Sequence, residues 1–345
     1  MKKLLVFAMA LALLFCMSSW AMAEVKVGAD LRLEVSWANH DDDWDNVDEY
    51  FGLEEFGNQT SRFKITYLSD DKKFYGYYEV GAYSRDDGNT VSVRRYELTY
   101  RWDGGELMMG QDYDIGDLWW PAQNLRDSQS MIGYGKHYLV RNEQVRLTLG
   151  KQYKIMFNIA DPYKGSVWAG GHTYHTLPLV GVAADLQFGN VRLNPWINFE
   201  NVQWEDGNDS DSYNSWDMGL QIRGDFGLIG FIVSGSYGVN TKQSTPVVTS
   251  SPLVINNEVD EDVYQWNIWA ELRIGGLALG YGYVSASRDD WDEDPWRQGA
   301  YASYVIPFGP MSFTPEIVWF DDGEDQNEVE QGEAIYFGVL CRMVF

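Results

Sequence analysis

Apolar and polar residues alternate without a break at the start of the patterned part of the chain. Val25, Val27, Ala29, Leu31, Leu33, Val35 and Trp37 take the odd positions, and Lys26, Gly28, Asp30, Arg32, Glu34 and Ser36 the even ones. A period of two over this length predicts a β-strand with one apolar and one wet face. The same reading predicts strands near 59–68, 73–83, 91–102, 106–112, 137–149, 153–160, 179–188 and 191–201. It continues with 213–223, 228–239, 262–274, 277–287, 297–306, 311–320 and 333–345, sixteen strands in all. The alternation is clear in Ile335, Phe337, Val339, Cys341, Met343 and Phe345, and weak at 106–112 and 297–306. Most segments have the ~9–11 residues of a tilted membrane-crossing strand, or slightly more.

The connections carry a second rhythm. Tight turns are expected at Ser69 to Lys72, Asp103 to Gly105, Lys151-Gln152, Gly189-Asn190, Gly224 to Gly227, Gly275-Gly276 and Pro307 to Pro310. Between them fall long acidic connections at 39–58, 84–90, 113–136, 161–178, 202–212, 240–261, 288–296 and 321–332. Short turns on one side and long loops on the other predict an all-β transmembrane antiparallel barrel in the outer membrane. With that topology Trp37, Phe199, Trp216, Tyr237, Trp266 and Trp319 fall at outer ends, and Tyr67, Trp102, Tyr153 and Phe345 at periplasmic ends, as two aromatic girdles. A soluble β-sandwich also alternates, but it explains neither the turn rhythm nor a final strand ending on an aromatic residue.

The N-terminal segment reads differently. Lys2 and Lys3 precede an apolar run from Leu4 to Phe15, and Ala21-Met22-Ala23 supplies small residues at the two positions a signal peptidase reads. Residues 1–23 are expected to be a signal peptide, leaving 24–345 as a single outer-membrane barrel domain. After Glu24 no stretch approaches the ~20 apolar residues of a spanning helix.

Composition narrows the function. The chain has 26 basic and 51 acidic residues, a formal charge of −25; without Lys2 and Lys3 the mature balance is −27. No cluster of Lys and Arg is present to bind phosphates, so nucleic acid is excluded as a partner. Of two cysteines, Cys16 lies in the leader and Cys341 near the end, which leaves no disulfide framework.

In its architecture the chain resembles the general Gram-negative porins, trimeric sixteen-stranded outer-membrane barrels whose long third loop folds into the pore. The resemblance is carried by the terminal strand ending in Phe345, by Gly105-Glu106-Leu107-Met108-Met109-Gly110-Gln111-Asp112 leading into a long connection, and by Val140 to Leu147 after it. The Pro-Glu-Phe-Gly-Gly type motif of that loop is absent, and Trp119-Trp120-Pro121 stands within Asp114 to Lys136 instead. Pore size and selectivity are therefore not inherited. The resemblance implies a homotrimer, set among outer-membrane lipid and lipopolysaccharide, passing ions and small hydrophilic solutes by passive diffusion.

A pore acts through the charges at its constriction. Arg32, Arg62, Lys64, Arg95, Arg101 and Arg146 fall on the wet face, and Asp112, Asp114, Asp117 and Asp127 on the third loop, an arrangement that would set a transverse field. The same charges could merely solvate the lumen. Trp119 and Trp120 are possible solute contacts, or an anchor holding the loop to the wall. The acidic runs Asp41 to Asp45 and Asp321 to Asp325 could bridge divalent ions to lipopolysaccharide, but the spacing of the first rejects an EF-hand. The net charge suggests a mild cation preference, which the Arg cluster opposes.

Two other classes remain as alternatives. A solute-specific channel for saccharides or organic acids would use the tryptophans. A barrel enzyme would need more than His172 and His175, which have no neighbouring carboxylate or Cys, and no nucleophile-turn motif is present. No catalytic residue, metal site or cofactor is expected.

Overall fold

The computed structural model describes residues 24–40, 49–54, 61–85, 88–116, 118–125, 131, 134, 136, 141–161, 172–206, 209–240, 262–289, 291, 294–324 and 330–345. Every regular element there is a strand. The first nine are β1 (Glu24–His40), β2 (Glu49–Glu54), β3 (Ser61–Leu68), β4 (Phe74–Arg85), β5 (Gly88–Trp102), β6 (Gly105–Tyr113), β7 (Arg141–Leu149), β8 (Tyr153–Ala160) and β9 (His172–Phe188). Then come β10 (Val191–Asp206), β11 (Asp209–Asp225), β12 (Ile229–Val239), β13 (Tyr264–Ile274), β14 (Leu277–Ser287), β15 (Trp296–Tyr304), β16 (Ile306–Phe308), β17 (Met311–Asp321) and β18 (Glu333–Val344).

These segments form one antiparallel sheet in chain order, closed by pairing of β1 with β18 from Asp30↔Val344 to His40↔Ala334. On its other side β1 pairs with β3 (Glu24↔Leu68 to Asp30↔Arg62) and then with β2 (Glu34↔Glu54 to Asn39↔Glu49). β2 and β3 thus share one place in the wall, as β15 and β16 share another opposite β17. The eighteen segments make a closed barrel of sixteen staves. Closure matters because hydrocarbon offers no partner to a free backbone N–H or C=O.

Burial confirms the two faces and inverts the soluble-protein order. In β13 the exposed positions are Tyr264, Trp266, Ile268, Ala270, Leu272 and Ile274, while Gln265, Asn267, Trp269 and Glu271 are buried. Val25, Val27, Leu31 and Leu33 are likewise exposed on β1, with Asp30, Glu34 and Ser36 inside. Trp37, Phe199, Tyr237, Trp266, Trp102, Tyr153 and Phe345 stand exposed as a girdle requires. Tyr67 does not: its side chain is buried against the notch left by Gly76, beside Leu98.

All seven expected turns are found, each with a left-handed residue at or beside it: Lys72, Gly104, Gly150, Gly189, Gly227, Gly275 and Gly309. Reversal in so few residues needs positive φ, which glycine adopts without steric cost.

The opposite connections differ from expectation. Residues 84–90 and 202–212 belong largely to hairpins that stay paired to Arg85↔Gly88 and Asp206↔Asp209. Likewise 49–54 is a strand, and β9 starts at His172. Strands that rise beyond the bilayer have no lipid-facing side to fill, so hydrophobic alternation stops while pairing continues. The Asp41 to Asp45 run lies outside the described residues.

The last residue takes part in closure: Phe345 N donates to Ala29 O (2.9 Å) and Ala29 N to Phe345 O (3.4 Å). Deleting Phe345 should lower the yield of folded, heat-modifiable barrel on an unheated SDS gel, and an unchanged yield would remove that role.

Candidate functional site

The inner faces of β1, β3, β4, β5, β6, β7 and β18 carry a cluster of charges, and its layout follows from one irregularity. Glu79 pairs with Arg95 but Val80 pairs with Val93, so Arg94 is the extra residue of a β-bulge. Val91 and Val93 face out before the bulge, and Leu98, Tyr100 and Trp102 after it. The phase flips between them, and Arg94 and Arg95 both point inward.

Three carboxylates organise the cluster. Asp30 accepts from Arg342 (Nε to Oδ1, 2.9 Å; Nη2 to Oδ2, 2.9 Å) and from Arg32 (Nη2 to Oδ2, 3.1 Å). Glu79 accepts from Arg94 Nε (3.0 Å) and Tyr77 OH (2.7 Å), with Lys64 Nζ 3.9 Å away. Asp112 lies 2.7 Å from Arg95 Nε and 3.4 Å from Arg146 Nη1. Arg95 is further held between rings, its guanidinium carbon 4.8 Å from the centroid of Tyr77 and 5.5 Å from that of Tyr113. Stacking fixes a guanidinium without cancelling its charge.

The segment after β6 is seated along the remaining wall. Asp114 takes Asn198 Nδ2 (3.0 Å) and Gly116 N (3.1 Å), and Ile115 packs with Met156, Ala183 and Trp196. Trp119 packs with Ile232 and Trp269. Ala122 N donates to Glu271 Oε2 (2.6 Å), which also takes Tyr301 OH. Glu316 receives Asn124 N (2.9 Å), Leu125 N (3.0 Å) and Asn124 Nδ2 (3.2 Å). Beyond it, Tyr134 lies on Phe320 at 4.1 Å between ring centroids, and its OH donates to Asp322 (2.6 Å). Inward glycines make room for this backbone: a Cβ on Gly282 would strike the carbonyl of Tyr134, and one on Gly181 would come within 2.8 Å of Ile115.

A model of the Gram-negative porin family matches residues 8–339. The chain belongs to the Gram-negative porin family. Among solved structures the porin is similar to the outer membrane channel DcaP of Acinetobacter baumannii, with a TM-score of 0.75 at 14% identity over 94% of this chain and 97% of that one. It is also similar to an anion-selective porin from Comamonas acidovorans, with a TM-score of 0.62 at 13% identity, covering 94% and 100% of the two chains. For Salmonella typhi OmpF in complex with daunomycin the TM-score is 0.58 at 11% identity, over 93% and 97%. No curated protein sequence matches the chain. Identities this low speak for the fold; membership of the family makes the porin an outer-membrane passive-diffusion channel and not an enzyme.

The porin brings Arg32, Arg62, Lys64, Arg95 and Arg146 to one wall. Arg101 sits apart, near the turn after β5, paired with Glu106 (3.2 Å) and over the Tyr75 ring. Asp112 belongs to β6 and not to the loop, where it binds the basic wall directly. Asp114 faces the Asn198 side of the barrel, and Asp117 and Asp127 lie outside the described residues. Trp119 is buried as an anchor, whereas Trp120 is half-buried, with Tyr113 at 5.2 Å and Lys136 over its ring. The side chains of His172 and His175 lie outside the described residues.

Sequence reasoning missed Arg94, Arg342, Glu79, Glu271 and Glu316. For Arg94 a signal was present, since Val91-Ser92-Val93 and Tyr96-Glu97-Leu98 alternate in opposite phase around Arg94-Arg95. The two distant glutamates gave none, because their partners are backbone amides of the segment after β6.

Glu316→Ala leaves the amides of half-buried Asn124 and buried Leu125 without an acceptor, and should weaken the seating of the segment by about 3 kcal/mol. In planar bilayers the variant should give larger, noisier conductance steps from a barrel that still folds. Wild-type steps would show that this carboxylate does not hold the segment.

Proposed function

We propose that solutes cross the barrel between the segment after β6 and the cationic wall of β1, β3, β5, β7 and β18. The carrying observation is the distribution of packing. Among the described residues of the segment, Ile115, Trp119, Leu125, Met131 and Tyr134 pack on the wall from β8 round to β18, so the charged wall is left to line the water path. Size exclusion by the segment and the field of the wall then act on every solute, without covalent chemistry. Asp112 and Asp114 at the root of the segment contribute the acidic side of that field.

Selectivity has two opposed sources in this reading. The overall charge of −25 draws cations toward the mouths, while the lining wall is positive. Screening limits each effect to ~8–10 Å, so the wall governs ions at the narrowing, and we assign it the larger effect. Residues 1–23 serve as a cleaved export signal, and the mature barrel assembles as a homotrimer, as its resemblance to general porins implies. Loose divalent bridging between the acidic loops and lipopolysaccharide fits the same setting.

Reconstitution in a planar bilayer under a KCl gradient tests the route. The reversal potential should take the sign of chloride preference, and Arg62→Glu with Arg95→Glu should move it toward potassium. Unchanged selectivity in the double variant would take those residues out of the path.

A further inference from the structure

We propose that the charged wall also carries a path for neutral saccharides: Tyr75, Tyr77, Tyr113 and Trp120 form a column of rings on which a sugar stacks as it crosses the barrel. This deepens the channel reading above, rests on it, and names a solute class for the route.

The wet face of a water-filled barrel gains nothing from aromatic surface, so rings there call for a reason. On β4 the inward positions are Tyr75, Tyr77 and Glu79, opposite in phase to lipid-facing Phe74. Tyr75 stands just past the tight turn at Ser69 to Lys72, at the periplasmic end of the wall. From there the rings follow one another. Tyr75 and Tyr77 lie with centroids 6.5 Å apart and planes within 11°. Arg95 bridges Tyr77 to Tyr113, its guanidinium carbon 4.8 and 5.5 Å from the two centroids. Tyr113 then meets Trp120 edge-on at 5.2 Å, which brings the column onto the segment after β6. All four rings are half-buried, whereas the anchoring Trp119 is 6% exposed. Among the described residues, the apolar clusters that seat the segment contain none of the four.

Cations flank the column, Arg101 over Tyr75 at 4.8 Å and Lys136 over Trp120 at 4.9 Å. Holding a cation needs one ring. The parallel contact of Tyr75 with Tyr77 and the edge contact of Tyr113 with Trp120 extend the column beyond that need. A pyranose has an apolar face of C–H bonds and a rim of hydroxyls. The rings offer the face a surface to lie on, and the side chains beside them offer the rim both kinds of partner: Arg95 and Arg146 donate, Glu79 and Asp112 accept. An aromatic solute would have to displace Arg95 from between Tyr77 and Tyr113, whereas a sugar leaves it in place and uses it as a donor. The field of the wall exerts no net pull on a neutral sugar, so its retention reports on the rings and their hydrogen-bonding neighbours.

The test adds maltotriose to channels reconstituted in a planar bilayer at fixed KCl, with polyethylene glycol of the same hydrodynamic size as the control for obstruction. The trisaccharide is also titrated calorimetrically into detergent-folded protein. Conductance should fall to a plateau with maltotriose and in simple proportion with the polymer. Tyr75→Leu and Trp120→Leu should each raise the half-effect concentration about fivefold or more, as loss of a stacking surface does. Tyr75→Phe keeps the ring and should retain the wild-type value, and Tyr281→Leu, on the lipid face, should leave it unchanged. A sugar effect no different from the polymer's, or a saturable one that survives both leucine variants, would overturn the column while leaving the channel intact. A folded barrel without conductance would instead count against the channel reading. In that case calorimetry decides the column: heat lost in Tyr75→Leu sustains it, and heat absent or unchanged in that variant overturns it.

Discussion

Everything in this molecule depends on the absence of a hydrogen-bonding solvent around its middle. A strand edge in lipid would leave a row of unmet amides and carbonyls, so the sheet has to return to its own beginning. The pairing of β1 with β18 meets that demand, and the alternation of side chains follows from it: one face must satisfy hydrocarbon and the other water. The buried polar and exposed apolar residues, which would be alarming in a soluble protein, are the expected order here.

Closure creates an interior that must then be partitioned. One part is filled much as an ordinary protein core is filled, with Ile115, Trp119, Leu125 and Tyr134 packed on aromatic and aliphatic residues of the far wall. Two carboxylates, Glu271 and Glu316, are buried within that packing and take backbone N–H groups in exchange for lost water. A buried carboxylate survives only when its oxygens are met in this way. The other part stays charged. The division gives the interior two unlike sides, one packed and largely apolar, the other charged.

Much of the barrel was legible in the sequence, because lipid imposes a period of two that few other environments enforce over sixteen strands. The turns were legible too, each carrying the residue types that tight reversal needs. Legibility failed where lipid stops imposing its pattern. Paired residues such as 202–206 and 209–212 rise beyond the apolar band and read as loop. Inside the lumen, Arg32, Arg62 and Arg146 could be placed by parity alone, but parity breaks at the bulge and hid Arg94. Glu316 was invisible for a different reason: its role depends on a backbone segment nearly two hundred residues earlier in the chain.

The seam between the first and last strands has a kinetic meaning. Asp30 and Arg342, joined across it, are 312 residues apart in sequence. The contact that removes the last open edge therefore cannot form until nearly the entire chain has crossed the inner membrane. A chain of such alternating segments that has not yet closed carries apolar side chains and unpaired backbone suited to pairing with other chains. For this architecture, delivery to the bilayer is a race against aggregation, and the pairing of Phe345 with Ala29 marks its end.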